Sequence, residues 1–119
     1  MNTQHGILIR ADEHTVSDVY APIWNGQEIR IKLGLRNDLV YQNIRSDSIV
    51  IEAVSNVGKG ADSIRKAGFE LFGRHFRGNA LIIPDEGRDS PRITPEEIAH
   101  KIRFFGSDEV RAPREKAAA

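Results

Sequence analysis

The sequence predicts an α+β domain: a small, mostly antiparallel sheet with helices packed on it. Three observations carry that expectation. Short runs rich in β-branched residues recur along the chain between turn-forming residues. One segment near the C-terminal end collects nearly every signal that starts and stops a helix. The length of 119 residues suits one domain, and a domain of this size buries roughly two-thirds of its unfolded surface without needing a metal or a disulfide.

Gly6-Ile7-Leu8-Ile9-Arg10 reads as a first strand. After the turn-like Ala11-Asp12-Glu13-His14, the segment 15–20 resumes the pattern with Val16, Val19 and Tyr20, so a hairpin is expected. Pro22 ends that pairing, because it has no N–H to give to the ladder. The stretch 24–35 supports two readings. Ile29, Ile31, Leu33 and Leu35 alternate with Glu28, Arg30, Lys32 and Gly34, which is strand period. Against that, Asn25 with Glu28 three residues on has the form of a capping box, and Gly34 suits the position just past a helix end.

Segments 39–45 and 48–54 look like two more strands, joined by Ser46-Asp47 without the glycine that tight hairpin turns prefer. Residues 55–63 read as a loop and 64–67 as one helical turn. Phe69 to Phe72 and 79–83 are further strands, the second central and buried, and 84–91 is a loop by composition. The final helix is predicted over 94–105. Thr94 caps it, Pro95 takes the first helical position, Glu97 closes the capping box, and Ile93 with Ile98 forms a staple. Ile98, Ile102 and Phe105 make one apolar stripe, His100, Lys101 and Arg103 complement the dipole, and Gly106 terminates the helix. A single domain over 5–106 is expected, followed by a charged, unpatterned tail over 107–119.

The order of "TVSDV", "QEIRIKLG", "SDSIVIEA" and "FRGNALIIPDEGRDSPRITPEEIAHKIRFF" resembles a family of small uncharacterised bacterial proteins, partly plasmid- or phage-borne, defined as a domain of unknown function. The likeness spans residues 6–105 and is most specific in the closing Gly–apolar strand–acidic loop–capped helix segment; the chain departs from it at 58–73. It implies that 26–34 is a helix, giving two helices on the sheet, at 26–34 and 94–105. It implies no catalytic residue.

The net charge is zero, with 17 basic and 17 acidic residues. That removes the simplest argument for a dedicated nucleic-acid binder and makes a homodimer easier to form. With no cysteine, disulfides, Cys-ligated zinc, iron–sulfur clusters and thiol catalysis are excluded. No signal peptide or membrane-length apolar run is visible, so a cytoplasmic location without membrane contact is expected.

Gly58-Lys59-Gly60 lacks the spacing and the Lys-Ser/Thr ending of a phosphate loop. His5, His14, His75 and His100 form no short-range pair that would suggest a metal site, and no serine sits in a nucleophile elbow. No cofactor is expected. Asp85, Glu86 and Asp89 crowd one loop and could assist a metal-dependent enzyme, although a solvated turn ahead of a helix is the weightier reading. Segment 59–77 is the most distinctive. Lys59, Arg65, Lys66, Arg74, His75 and Arg77 stand there against Asp62 and Glu70, interleaved with Phe69, Phe72 and Phe76. Cations on a solvated rim around core phenylalanines explain this most simply; an acidic protein or a nucleic acid are the partners it would fit. The leading expectation is a non-enzymatic binding or interaction module, accessory to a mobile element. A weak nucleic-acid binder acting through 59–77, or a small metal-assisted enzyme using 85–89, are the alternatives.

Overall fold

A computed structural model describes residues 3–34, 39–52, 67–85 and 87–106. Along them run β1 (Gln4–Arg10), β2 (Thr15–Ala21), α1 (Gly26–Leu33), β3 (Leu39–Ile44), β4 (Asp47–Glu52), β5 (Gly68–Leu71), β6 (Arg74–Arg77), β7 (Ala80–Ile83), α2 (Pro95–Lys101) and β8 (Arg103–Phe105). Over the described residues the chain adopts the predicted α+β class, mostly antiparallel sheet carrying two helices, with the strands divided between two sheets. Five form the order β2-β1-β7-β4-β3 and three the order β6-β5-β8, every pairing antiparallel. The expected loop at 55–63, the helical turn at 64–67 apart from Ala67, and the tail at 107–119 lie outside the described residues.

Alternation along the strands sorts the core into two clusters on opposite faces of the large sheet. Ile7, Ile9, Ile49 and Ile82 meet Phe69, Leu71 and Phe76 of the small sheet, together with Ile93 just ahead of α2 and Ile98 within it. Leu8, Val50, Leu81 and Ile83 face the other way and meet Trp24, Ile29 and Leu33. The protein is therefore layered, with α1 on one side of the large sheet and the small sheet with α2 on the other. Strands β1 and β7 read as continuous apolar runs because both of their faces are covered.

Helix α1 shows which sequence signal decides. Asn25 Oδ1 accepts from the Glu28 amide at 2.9 Å, and Gly34 closes the helix at φ 68°. Ile29 and Leu33, four apart, are buried, while Ile31 is 63% exposed. The strand-like alternation is thus an accident of an apolar residue on the wet side of a helix. The connection into it is fixed by Trp24, whose amide donates to Gln4 Oε1 at 2.9 Å. Its indole lies across Gly6, where an added Cβ would come within 2.9 Å of Cζ2.

Two expectations are corrected. Helix α2 ends at Lys101; Ile102 caps it in an extended conformation with ψ 144°, and 103–105 forms β8 against β5. Ile98 is buried as expected, but Phe105 belongs to no helical stripe. The cause is tertiary: the open edge of β5 offers backbone hydrogen bonds that a frayed last turn does not. Segment 74–77, read only as a cationic patch, is strand β6. Its hairpin with β5 turns through Phe72 at φ 51° and Gly73 at φ 76°, the paired positive values of a type I′ turn, whose twist matches the flanking strands.

Asp47, at the start of β4, is 1% exposed. Its carboxylate accepts from the Arg92 amide at 3.0 and 2.9 Å and from the Ile93 amide at 2.9 Å. This grip delivers Ile93 to the core and sets the start of α2. Asp47→Ala, which strands both amides, is expected to cost about 3 kcal/mol in urea denaturation, with Asp47→Asn intermediate because it retains one acceptor oxygen. Gly6→Ala is expected to displace the indole and cost about 1–3 kcal/mol, with a red-shifted emission from the single tryptophan as the readout.

Candidate functional site

The small sheet has an inner and an outer face, and its register assigns each side chain to one of them. Phe69 pairs with Phe76 and Phe104, and all three turn inward. Phe69 stacks on Phe76 at 5.0 Å between centroids and meets Phe104 edge-on at 6.4 Å. Phe72, half-buried in the turn, packs on the same cluster beneath the Arg45 guanidinium, 5.0 Å from its ring centre. The phenylalanines of 69–76 are thus core, as the simplest reading of the sequence had it.

The cations of the same stretch are divided. Arg74 follows the inward register and, at the end of the sheet, reaches Gln42 Oε1 and the Asn43 carbonyl of β3. It also covers Phe76 at 5.2 Å. Arg74 is a brace between the two sheets. His75 and Arg77 point the other way, to the outer face. Lys59, Arg65 and Lys66 lie outside the described residues.

Two cross-strand rows make up that outer face. In one, Gly68 stands between Arg77 and Phe105; in the other, Glu70 stands between His75 and Arg103. Phe105 lies down over Gly68, where a Cβ would come within 2.9 Å of the ring and 2.1 Å of the Phe76 carbonyl oxygen. Only glycine leaves room for it. The Arg77 guanidinium covers the Phe105 ring at 5.0 Å, and the His75 ring sits 6.1 Å away at 47°. Glu70 Oε1 is 3.2 Å from Arg103 Nη2 and 3.8 Å from His75 Nε2. Arg103 is 77% exposed, so the pair is screened and contributes about 0.5 kcal/mol at most. Phe105, Arg103 and Glu70 went unrecognised as site residues in the sequence. The signal available was period two across 103–105, with Phe104 inward and its neighbours outward.

The remaining sequence candidates fall elsewhere. The loop carrying Asp85 and Asp89 docks through its backbone: the His5 amide donates to the Asp89 carbonyl at 2.7 Å, and the Arg88 amide to the Asp85 carbonyl at 3.1 Å. Glu86 lies outside the described residues. Among the described residues no three His, Cys, Asp or Glu side chains converge as a metal-binding set. His5 pairs with Asp18 and stacks on Tyr20, while His14 stacks on Phe104 at 4.9 Å. His100 is exposed on α2. Among the described residues no helix is long and apolar enough to cross a membrane.

Comparison of the chain with family models, with curated proteins and with solved structures gives no match.

The two sides of the small sheet differ in what their aromatics do for stability. Phe69→Ala, in the sealed interior, is expected to cost about 3–5 kcal/mol. Phe105→Ala, which removes a half-buried ring, is expected to cost about 1.5 kcal/mol. Paired urea titrations check the contrast; equal losses would place Phe105 in the core.

Proposed function

We propose that this chain is a non-enzymatic binding module and that the outer face of β6-β5-β8 is where it meets an anionic partner. The observation that supports this is Phe105, a large ring laid on the solvent side of a sheet among Arg77, His75 and Arg103. A half-buried apolar ring on the outer side of a sheet, packed beside cations, suits recognition, because ring and guanidinium together bind flat or anionic groups. The closing segment's resemblance to small plasmid- and phage-borne bacterial proteins supports a role as a cytoplasmic accessory protein of a mobile element.

Titration of ¹⁵N-labelled protein with inorganic polyphosphate tests the surface directly. Amide shifts are expected in β5, β6 and β8, reversing as salt is raised. Shifts confined to the α1 side of the large sheet, or none at all, would overturn the assignment.

A further inference from the structure

Among the described residues the two sheets have four edge strands, and they differ in what guards them. Strand β6 carries Arg74, His75 and Arg77, and β8 is three residues long and includes Arg103. Strand β2 has Asp18 at its midpoint and Pro22 directly after it. Charges, prolines and shortness are what keep a sheet edge from pairing with another chain. The fourth edge, β3, has none of them. It runs Leu39-Val40-Tyr41-Gln42-Asn43-Ile44, six residues without a charge or a proline, and its Tyr41 is 53% exposed. We infer that β3 pairs with β3 of a second copy of this chain, antiparallel across a two-fold axis at Tyr41, joining the two five-stranded sheets into one. The small sheet and its anion-binding reading play no part in this.

The hairpin register shows which backbone groups the edge offers. Ile44 and Asp47 close a two-residue turn of Arg45 and Ser46, and the pair that closes such a turn exchanges both hydrogen bonds. Bonded and open pairs then alternate. Gln42 and Val40 are therefore tied to β4, while Asn43, Tyr41 and Leu39 turn their N–H and C=O groups outward. The Asn43 carbonyl obeys this parity, since Arg74 donates to it, and it keeps a second lone pair. With the axis at Tyr41, each Tyr41 meets its own counterpart and each Leu39 meets an Asn43 of the other copy.

Self-complementarity is the reason the occupant is a second copy. A two-fold rotation brings one patch onto itself, and an uncharged antiparallel edge satisfies its own donors and acceptors without repulsion. The same operation on β2 sets Asp18 against Asp18, which is unfavourable. Tyr41 stands opposite Val50 and so lies on the α1 side of the sheet. Across the axis the two rings become cross-strand neighbours on that side, a favourable aromatic pair. The zero net charge of the chain adds no long-range barrier to the encounter.

Sedimentation velocity of the full chain over a concentration series is expected to show a monomer–dimer equilibrium. Tyr41→Lys, at an exposed position, sets like charges together at the axis and is expected to weaken the dimer about tenfold, an effect that added salt reduces. Tyr41→Pro removes an outward N–H and leaves the β3–β4 ladder its bonds, so a folded monomer is expected. The chain has no cysteine, so single thiols report the register. Opposed residues of a hydrogen-bonded antiparallel pair have Cα atoms about 5.5 Å apart, within the roughly 4.4–6.8 Å that a disulfide spans. Tyr41→Cys is expected to cross-link to its own copy when oxidised glutathione is supplied. Asn43→Cys, whose counterpart lies about 13 Å along the strand, and Tyr20→Cys on β2 are expected not to. A chain that stays monomeric up to its solubility limit overturns the inference. So does a dimer that both Tyr41→Lys and Tyr41→Pro leave intact, or one that Asn43→Cys cross-links as readily as Tyr41→Cys.

Discussion

Strand β7 must bury both of its faces at once, and the rest of the architecture answers to that demand. Ala80, Leu81, Ile82 and Ile83 are all covered, and β7 is hydrogen-bonded on both edges at the centre of the large sheet. No polar residue in it can face water, so the sheet needs a layer on each side. Helix α1 supplies one, from Ile29 and Leu33. The small sheet and the region of α2 supply the other, from Phe69, Leu71, Phe76, Ile93 and Ile98. Among the described residues that second layer is one sheet thick, and its far side carries half-buried and exposed polar side chains. The candidate surface exists because the apolar side of β5-β6-β8 is committed to β7 and its neighbours.

Holding that layer in place falls largely to polar contacts at its margins. Asp47 would be costly to bury as an ion without partners, and its two amide donors from Arg92 and Ile93 offset the cost. Arg45, in the turn that Asp47 ends, lies over Phe72 and pairs with Glu97 of α2. Arg74 ties β6 to β3. Cations that look alike in the sequence therefore divide between the inner and the outer side of the small sheet, and strand parity tells them apart.

Much of the frame was legible beforehand, and the reasons are local. The β1–β2 and β3–β4 hairpins announce themselves by apolar runs, and β7 by an unbroken one. The start of α2 is legible because a cap, a proline and a staple coincide at 93–98. Its end was not, since a strand partner more than 30 residues upstream in sequence decides where the helix stops. Strand β6 was hidden because Arg74-His75-Phe76-Arg77 has a single apolar residue, which suffices when only one face is covered. The candidate site suffered most. Its six side-chain positions come from three strands separated along the chain, and a window on 59–77 could reach only part of it. His75 and Arg77 lay in view, whereas Phe105 and Arg103 were assigned to a helix that had already ended.

The bare backbone at Gly68 has an evolutionary corollary. A methyl group there would strike the Phe76 carbonyl oxygen as well as the Phe105 ring, so the two positions are constrained unequally. A lineage that abandons the ring must still keep glycine, because the carbonyl belongs to the backbone whatever residue stands at 76, whereas one that gains a side chain at 68 has to move β6 and give up the ring. Across orthologues position 105 is therefore free to vary over a constant glycine, and the pair changes together only where the sheet itself has been rebuilt.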